Sequence, residues 1–595
     1  MKKVLCMLLP VAIAAAGCEK ENIWGSVENP WGNNSNGSAQ SYSASGNNTA
    51  DITGAEPTED LIANTSFDRT ITIVYSASGA TVSGDANGIV QVSGNKVTAD
   101  NTATSEKVMY KLSGTAADGY FKVYSKNKQA IVLDGVSLTN SAGAAINNQG
   151  KKRCFVVVNG NNSLTDGASY TATPADEDEK AAFFSEGQLI FSGEGSLTVN
   201  AKGKSGITSD DYVRFVASPT VTVSSSAGHG IRGKDAVVIS GGTLDVTVSA
   251  AMKKGMASDS LVVFNGGVTT INVSGGTAYD DDDQEYKASA GVKADQLFVM
   301  NAGSLTVSNS GQGGKGISGD GKGYFQGGTV KVTVTGSNYG QSSSGMGGWG
   351  GSSSSSDDNS KSAKGIKFDG DLYVTAGSIV ATAANHEAIE SKGVIEISGG
   401  TVFAQSKDDA INAAGDMAIL GGYVGAYSTG NDGLDANGNL YIEGGVIYAI
   451  GSGGAEVAID ANTEGGKTLY VNGGNLVAIG GLENGAVLSQ SCYSSSSWSK
   501  GAWYSFSVGS DTFAFKTPSS AGSGLVVSGS SEPALKSGVS VSGGNSLFNG
   551  MLVVDGSTSG GTQVSLSAYS GGMGGPGGMG GGMGGPGGMG GGRGW

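Results

Sequence analysis

The sequence predicts an all-β solenoid, a parallel β-helix with coils of about 23 residues, and three observations carry that prediction. A small residue followed by a bulky apolar one recurs through the centre: Gly206-Ile207, Gly230-Ile231, Gly255-Met256, Gly291-Val292, Gly316-Ile317, Gly365-Ile366, Ala388-Ile389, Ala410-Ile411, Gly433-Leu434 and Ala458-Ile459. A second small pair, such as Gly241-Gly242, Gly399-Gly400 or Gly444-Gly445, follows eleven residues after the start in eight repeats, which confines length variation to one later loop. Between the landmarks apolar residues alternate, as in Val237/Ile239, Ile395/Ile397 and Leu440/Ile442, and a period of two is the signature of strands. So short a unit cannot bury its apolar face alone. Stacking the units at roughly 4.8 Å joins their interiors into one core. The Leu/Asn consensus of a leucine-rich repeat is absent, and a propeller blade needs about 40 residues.

The elements follow in chain order. Met1-Lys2-Lys3 and the apolar run Val4 to Ala16 read as a signal peptide over 1–17, too short for a stable membrane span. Ala15-Ala16-Gly17-Cys18 resembles a bacterial lipobox, in which Cys18 is acylated and becomes the mature N-terminus. An ordinary signal with an incidental Cys is the alternative. Residues 18–60 form a tether whose Asn-, Ser- and Gly-rich stretch has too little apolar surface to order itself. An N-terminal β cap and first strands are expected over 61–130, the β-helix over 131–490, a C-terminal β segment over 491–565, and a disordered Gly/Met-rich tail over 566–595.

Composition removes several functions. The chain of 595 residues has 104 Gly without a Gly-x-y period, which excludes collagen. Lys plus Arg is 36 against 52 Asp plus Glu, a net charge of −16 that argues against nucleic acid. Two His leave almost no material for imidazole chemistry. Cys154 and Cys492 stand at opposite ends of the repeat array, many coils apart, so they are expected to be unpaired.

Residues at one offset of a β-helix form ladders up the stack. At the corner flanking each repeat start the ladders are basic first: His229, Arg232, Lys253, Lys254, Lys293, Lys315, Lys364 and Lys367. They then turn acidic, with Glu387, Glu390, Asp408, Asp409, Asn412, Asn431, Asp432, Asp435 and Asp460. Carboxylates stacked on neighbouring coils repel, and a hard cation resolves that. Asp408, Asp409, Asn431, Asp432 and Asp435 make an all-oxygen donor set suited to Ca2+. The competing reading is a solvated polar corner with Asn and Asp chosen for turn geometry. Phe403, Tyr427 and Tyr448 alternate outward beside this corner, as a platform for sugar rings or as cross-strand stacks. Two insertions, Ala278 to Ala290 with four consecutive Asp and the Gly/Ser tract Ser337 to Ser362, overhang one face. Four adjacent Asp read first as a solvated charge run.

The ordered run Ala130-Ile131-Val132-Leu133-Asp134-Gly135-Val136, Asn162-Ser163-Leu164-Thr165-Asp166-Gly167, Ser192-Gly193-Glu194-Gly195-Ser196-Leu197 and His229-Gly230-Ile231-Arg232-Gly233-Lys234-Asp235 resembles the secreted bacterial carbohydrate-binding β-helix family, similar in fold to the family 9 pectate lyases. The resemblance covers roughly residues 68 to 490. It implies a right-handed β-helix with bound calcium that binds acidic plant polysaccharide such as polygalacturonate. Asp408, Asp409, Asn431, Asp432 and Asp435 look like the calcium cluster, with Asn431 a departure, and no lysine completes a catalytic motif.

The expected function is therefore a non-catalytic, monomeric, outer-membrane lipoprotein at the cell surface. It would bind polysaccharide through Arg232, Lys293, Lys364, Lys367, Phe403, Tyr427 and Tyr448 with Ca2+ as cofactor. The alternatives are a calcium-dependent lyase acting by β-elimination and a structural adhesin without glycan specificity.

Overall fold

The computed structural model describes residues 40–42, 57–340 except 172, 173, 175, 176 and 217, and 360–571. Cys18, the signal segment, most of the tether and the tail beyond 571 lie outside the described residues. The described chain is an all-β parallel solenoid of about 14 turns with 2% helix, as the repeat predicts. Twisted strands favour the right-handed crossover that the resemblance implies.

One coil shows the plan. Ile411–Ala413 lies on the first face, Met417–Ile419 on the second and Tyr423–Ser428 on the third. Each pairs in parallel with its counterpart one coil on: Ile411 with Leu434, Met417 with Leu440, Val424 with Ile447. The inward side chains of successive coils stack into one continuous core, in which Ile411, Ile419 and Val424 are fully buried. The first face is a 15-stranded sheet running from Val90–Ser93 to Ile459–Ala461.

The invariant glycine pair makes the bend between the second and third faces. Gly400 sits at φ +77°, and a Cβ there would stand 2.7 Å from the Gly377 carbonyl oxygen of the preceding coil. Backbone conformation and coil spacing both demand glycine at that bend. The small residue opening each repeat has a different cause: at Gly291 a Cβ would lie 2.2 Å from Val307 Cγ1 inside the core.

Parallel pairing begins earlier than residue 131. Arg69–Tyr75 pairs in parallel with Val108–Ala116, and Lys96–Asn101 with Tyr120–Ser125, so segment 61–130 contributes coils as well as the antiparallel cap strands Thr81–Ser83 and Val90–Ser93. Fully buried Asp60 pins this end through Arg153 at 2.7 Å, Arg214 at 2.9 Å and the Tyr212 hydroxyl at 2.6 Å.

At the other end Leu525–Ser528 pairs antiparallel with the last coil strand, Asn475–Ile479, covering an edge that would otherwise recruit another chain. A six-stranded antiparallel sheet formed within 503–563 folds onto the outer side of the third face. Its Phe506, Phe515, Leu535 and Leu552 bury against Phe403, Tyr448 and Val477 of the solenoid. Cys154 and Cys492 are buried and unpaired. Among the described residues no helix is long and apolar enough to cross a membrane.

Candidate functional site

Two ladders run side by side on the first face. Lys254, Ala290, Lys315 and Lys364 pair coil to coil, and the same register continues to His229 before them and to Glu387, Asp409 and Asp432 after them. The neighbouring ladder reads Arg232, Ala257, Lys293, Ser318, Lys367, Glu390, Asn412, Asp435 and Asp460. The charge reversal read in the sequence is thus a reversal along one surface.

The seam lies at Lys364. Its Nζ is 2.5 Å from Glu390 Oε2 and 3.1 Å from Glu387 Oε2, and all three side chains are buried. Burial alone would raise the Glu387 carboxyl. Its hydrogen bond to His386 and the Lys364 charge win instead and hold it at about 2.

On the acidic side the five predicted ligands divide into two groups. Asn431 Nδ2 donates to Asp408 Oδ1 at 3.0 Å, and Asp408 Oδ2 lies 3.1 Å from His386 Nδ1. His386, Glu387 and Asp408 bring ligand atoms within 4.8 Å of one another. The second group is Asp409, Asp432 and Asp435, with Asn412 between two of its members. The Asn412 amide nitrogen donates to Asp409 Oδ2 at 3.1 Å and to Asp435 Oδ2 at 2.6 Å, and Asp432 receives the Val457 N–H at 2.5 Å. Burial pushes all three carboxyls up, helped at Asp409 by Asp435 and Asp408, and at Asp432 by Glu456 and Asp435. Asp432 reaches about 7. Asp460, one coil further, is raised by burial and by Glu483. Burial and mutual repulsion therefore oppose ionisation of all three carboxyls, and turning the Asn412 amide over would set a further oxygen beside Asp409 and Asp435. Oxygen donors of this kind suit a hard cation, and the ligand atoms on this corner that converge within 4.8 Å among the described residues are those of His386, Glu387 and Asp408.

The predicted glycan contacts require correction. Arg232 is held bidentate by Asp259 at 2.8 and 2.7 Å. Lys293 pairs with Asp320 and Asp295, Lys367 with Asp369, and Lys364 is consumed at the seam. A sequence signal existed for this: Asp259, Asp295, Asp320 and Asp369 each stand two residues after a rung of the second ladder. Phe403 and Tyr448 do point out of the solenoid, but the C-terminal sheet covers them, leaving each 2% exposed. Phe403 stacks on Phe548 with ring centres 5.6 Å apart, and the Tyr448 hydroxyl donates to the Lys516 carbonyl at 2.8 Å. They fasten a domain and present no platform. Tyr427 is half-buried at the margin of the same interface.

The family model described as "Carbohydrate-binding domain-containing protein" matches residues 93–251, 309–410 and 357–483, more than half of the chain. A curated protein of that description from Acetivibrio thermocellus is 35% identical over 144 residues, which is 22% of this chain and 50% of the relative. The chain thus spans about half the length of that relative. A solved structure of a polysaccharide lyase-like protein from C. thermocellum, a gadolinium derivative, is 24% identical with a TM-score of 0.35, covering 43% of this chain and 96% of its own. With the solenoid, its first-face ladders and the family match in hand, the chain belongs to the carbohydrate-binding domain-containing protein family.

Proposed function

We propose that this protein is a non-catalytic, glycan-binding lipoprotein of the outer membrane, anchored through Cys18 and displayed at the cell surface. It takes acidic plant-type polysaccharide such as polygalacturonate through Ca2+ at the acidic end of the first face. The observation that carries the reading is the run of acidic side chains on adjacent coils, with Asp409 and Asp435 bridged by Asn412 and Asp432 linked to Asp409 through its backbone N–H, on a face not covered by the C-terminal sheet. A divalent ion held there would keep coordination positions open for the carboxylates of a uronate chain, which a bare acidic surface would repel.

Binding is favoured over β-elimination by the placement of lysines. A lyase needs cation and base at one sugar. Lys364 and Lys392 beside the acidic group are tied to Glu387 and Glu390. Lys315, whose pKa burial lowers furthest among the described lysines, stands three ladder steps from Asp409, on the order of 15 Å away at roughly 4.8 Å per coil.

Retention on a polygalacturonate gel with calcium and with EGTA tests the proposal. Calcium-dependent retardation without unsaturated, ultraviolet-absorbing product is expected. No retention in either condition sinks the glycan reading, and accumulation of unsaturated product replaces it with the lyase.

A further inference from the structure

A second cleft lies on the same face, at the basic end. It has a volume of about 750 Å³, and the 278–290 insertion provides its roof. That insertion is a hairpin, Ala278–Asp280 paired with Glu285–Lys287, fastened by Lys287 to Asp280 at 3.0 Å and by the edge-to-face rings of Tyr279 and Tyr286. Tyr286 in turn packs on Tyr339 at 5.4 Å between ring centres. The floor is the first ladder: Lys254, Ala290, Lys315. Ala290 is a single methyl between two lysines, so open volume remains above it.

The ion pairs of this cleft are unevenly shared. Arg232, Lys287, Lys293 and Lys367 at its rim all hold carboxylates. The two floor lysines do not. Lys254 Nζ donates to the Met252 carbonyl at 2.9 Å, and neither Lys254 nor Lys315 has a carboxylate partner among the described residues. His229 completes the end of the floor. Its Nδ1 accepts the Lys254 backbone N–H at 3.0 Å, so a neutral ring carries its proton on Nε2 as a further donor.

An ammonium drawn out of water without a counter-charge is costly. Burial and the neighbouring lysines push Lys254 down to about 8 and Lys315 down to about 7. The rim shows that carboxylates could have been placed here, yet the floor has none. Two ladder steps separate the lysines, about 10 Å at roughly 4.8 Å per coil. That backbone spacing is suited to a chain carrying repeated charges along the solenoid axis.

We infer that the hairpin-roofed cleft is a second, metal-independent binding site for the anionic groups of a sugar chain, with Lys254 and Lys315 as its two anchors and His229 as an added donor. The site rests on the glycan-binding reading but not on calcium. Carboxylate and sulfate ester share the chemistry it needs, because lysine is a point charge that does not impose the planar match of a guanidinium.

Calorimetric titration of the full chain in EGTA with polygalacturonate, dextran sulfate and uncharged dextran tests the inference. Wild type is expected to bind at least one charged polymer without metal and to ignore dextran. Binding of polygalacturonate alone names the carboxylate, and binding of dextran sulfate alone names the sulfate ester. Lys254→Met with Lys315→Met should weaken binding at least tenfold while raising the melting temperature, since uncompensated buried charge is removed. Lys331→Met, on an exposed part of the third face, should change neither. Metal-free binding that survives the double substitution overturns the site, as does wild type binding charged glycan only with calcium, which would leave the glycan reading standing. Failure to bind any glycan with or without calcium overturns both.

Discussion

Lys364 and Glu390 meet across adjacent coils, with Nζ 2.5 Å from the Oε2 of a carboxylate only 1% exposed. This buried pair is the seam at which a ladder of cations becomes a ladder of carboxylates. Lys364→Met leaves Glu387 and Glu390 without their shared counter-charge. Breaking a buried pair from one side typically costs about 3–5 kcal/mol, so a melting temperature well below wild type is expected at neutral pH. Partial recovery should appear as the pH falls and Glu387, no longer held low by Lys364, takes up a proton. Thermal scans across pH check both.

The acidic trio predicts an inverted pH profile for protein stripped of metal. Asp409, Asp432 and Asp435 are raised in the fold above their ordinary carboxylate value. Between the ordinary value and the raised one the folded state binds more protons than the unfolded state, so stability falls as pH rises. The slope is about 1.4 kcal/mol per pH unit for each proton involved. Denaturant titrations of protein dialysed free of metal should show stability declining from about pH 4 towards about pH 8, with Asp432 ionising at about 7 and Asp409 at about 8. Calcium should flatten that decline, and Asp409→Asn with Asp432→Asn should reduce the decline to the share of Asp435 and abolish the calcium effect.

The interface beneath the C-terminal sheet gives a separate prediction. Phe548→Ala removes the ring stacked on Phe403 and opens space over Gly425. A loss of about 3–5 kcal/mol is typical for such a truncation. Because the lost contacts belong to the sheet and the third face, faster hydrogen exchange and proteolysis should concentrate in 503–563. Glycan binding at the first face should persist.

Glycine at the bend is required for two reasons that can be separated. Gly400→Ala meets both a positive φ and a carbonyl at 2.7 Å, whereas Gly509→Ala meets φ +57° with nothing within 4 Å. Strained backbone alone costs on the order of 1–3 kcal/mol. The Gly400 variant should lose clearly more stability than the Gly509 variant in urea melts, and equal losses would mean that coil spacing relaxes freely.

The fold was legible because repetition converts weak local signals into strong ones. Gly230, Gly255 and Ala388 each say little, but a fixed eleven-residue offset to the next small pair leaves few architectures. The same register made Lys254, Lys315, Asp409 and Asp432 readable as ladders. What could not be read was what packs on the outside. Phe403 and Tyr448 point outward as alternation requires, yet nothing in their own repeat announces the sheet that folds back from several repeats further along the chain. Counter-charges were also hidden in part, since Asp259 serves Arg232 of the previous coil rather than a residue near it in sequence. Asn412 was visible in its column, but only geometry places its amide between Asp409 and Asp435.

The change from Lys254 and Lys315 to Asp409 and Asp432 along one face gives the surface a head and a tail. A polysaccharide also has two different ends. A polymer laid along such a surface meets unlike neighbours at its reducing and non-reducing ends, so reversing it is not an equivalent act. Orientation would then be selected by the protein's axis itself, before any single sugar is recognised.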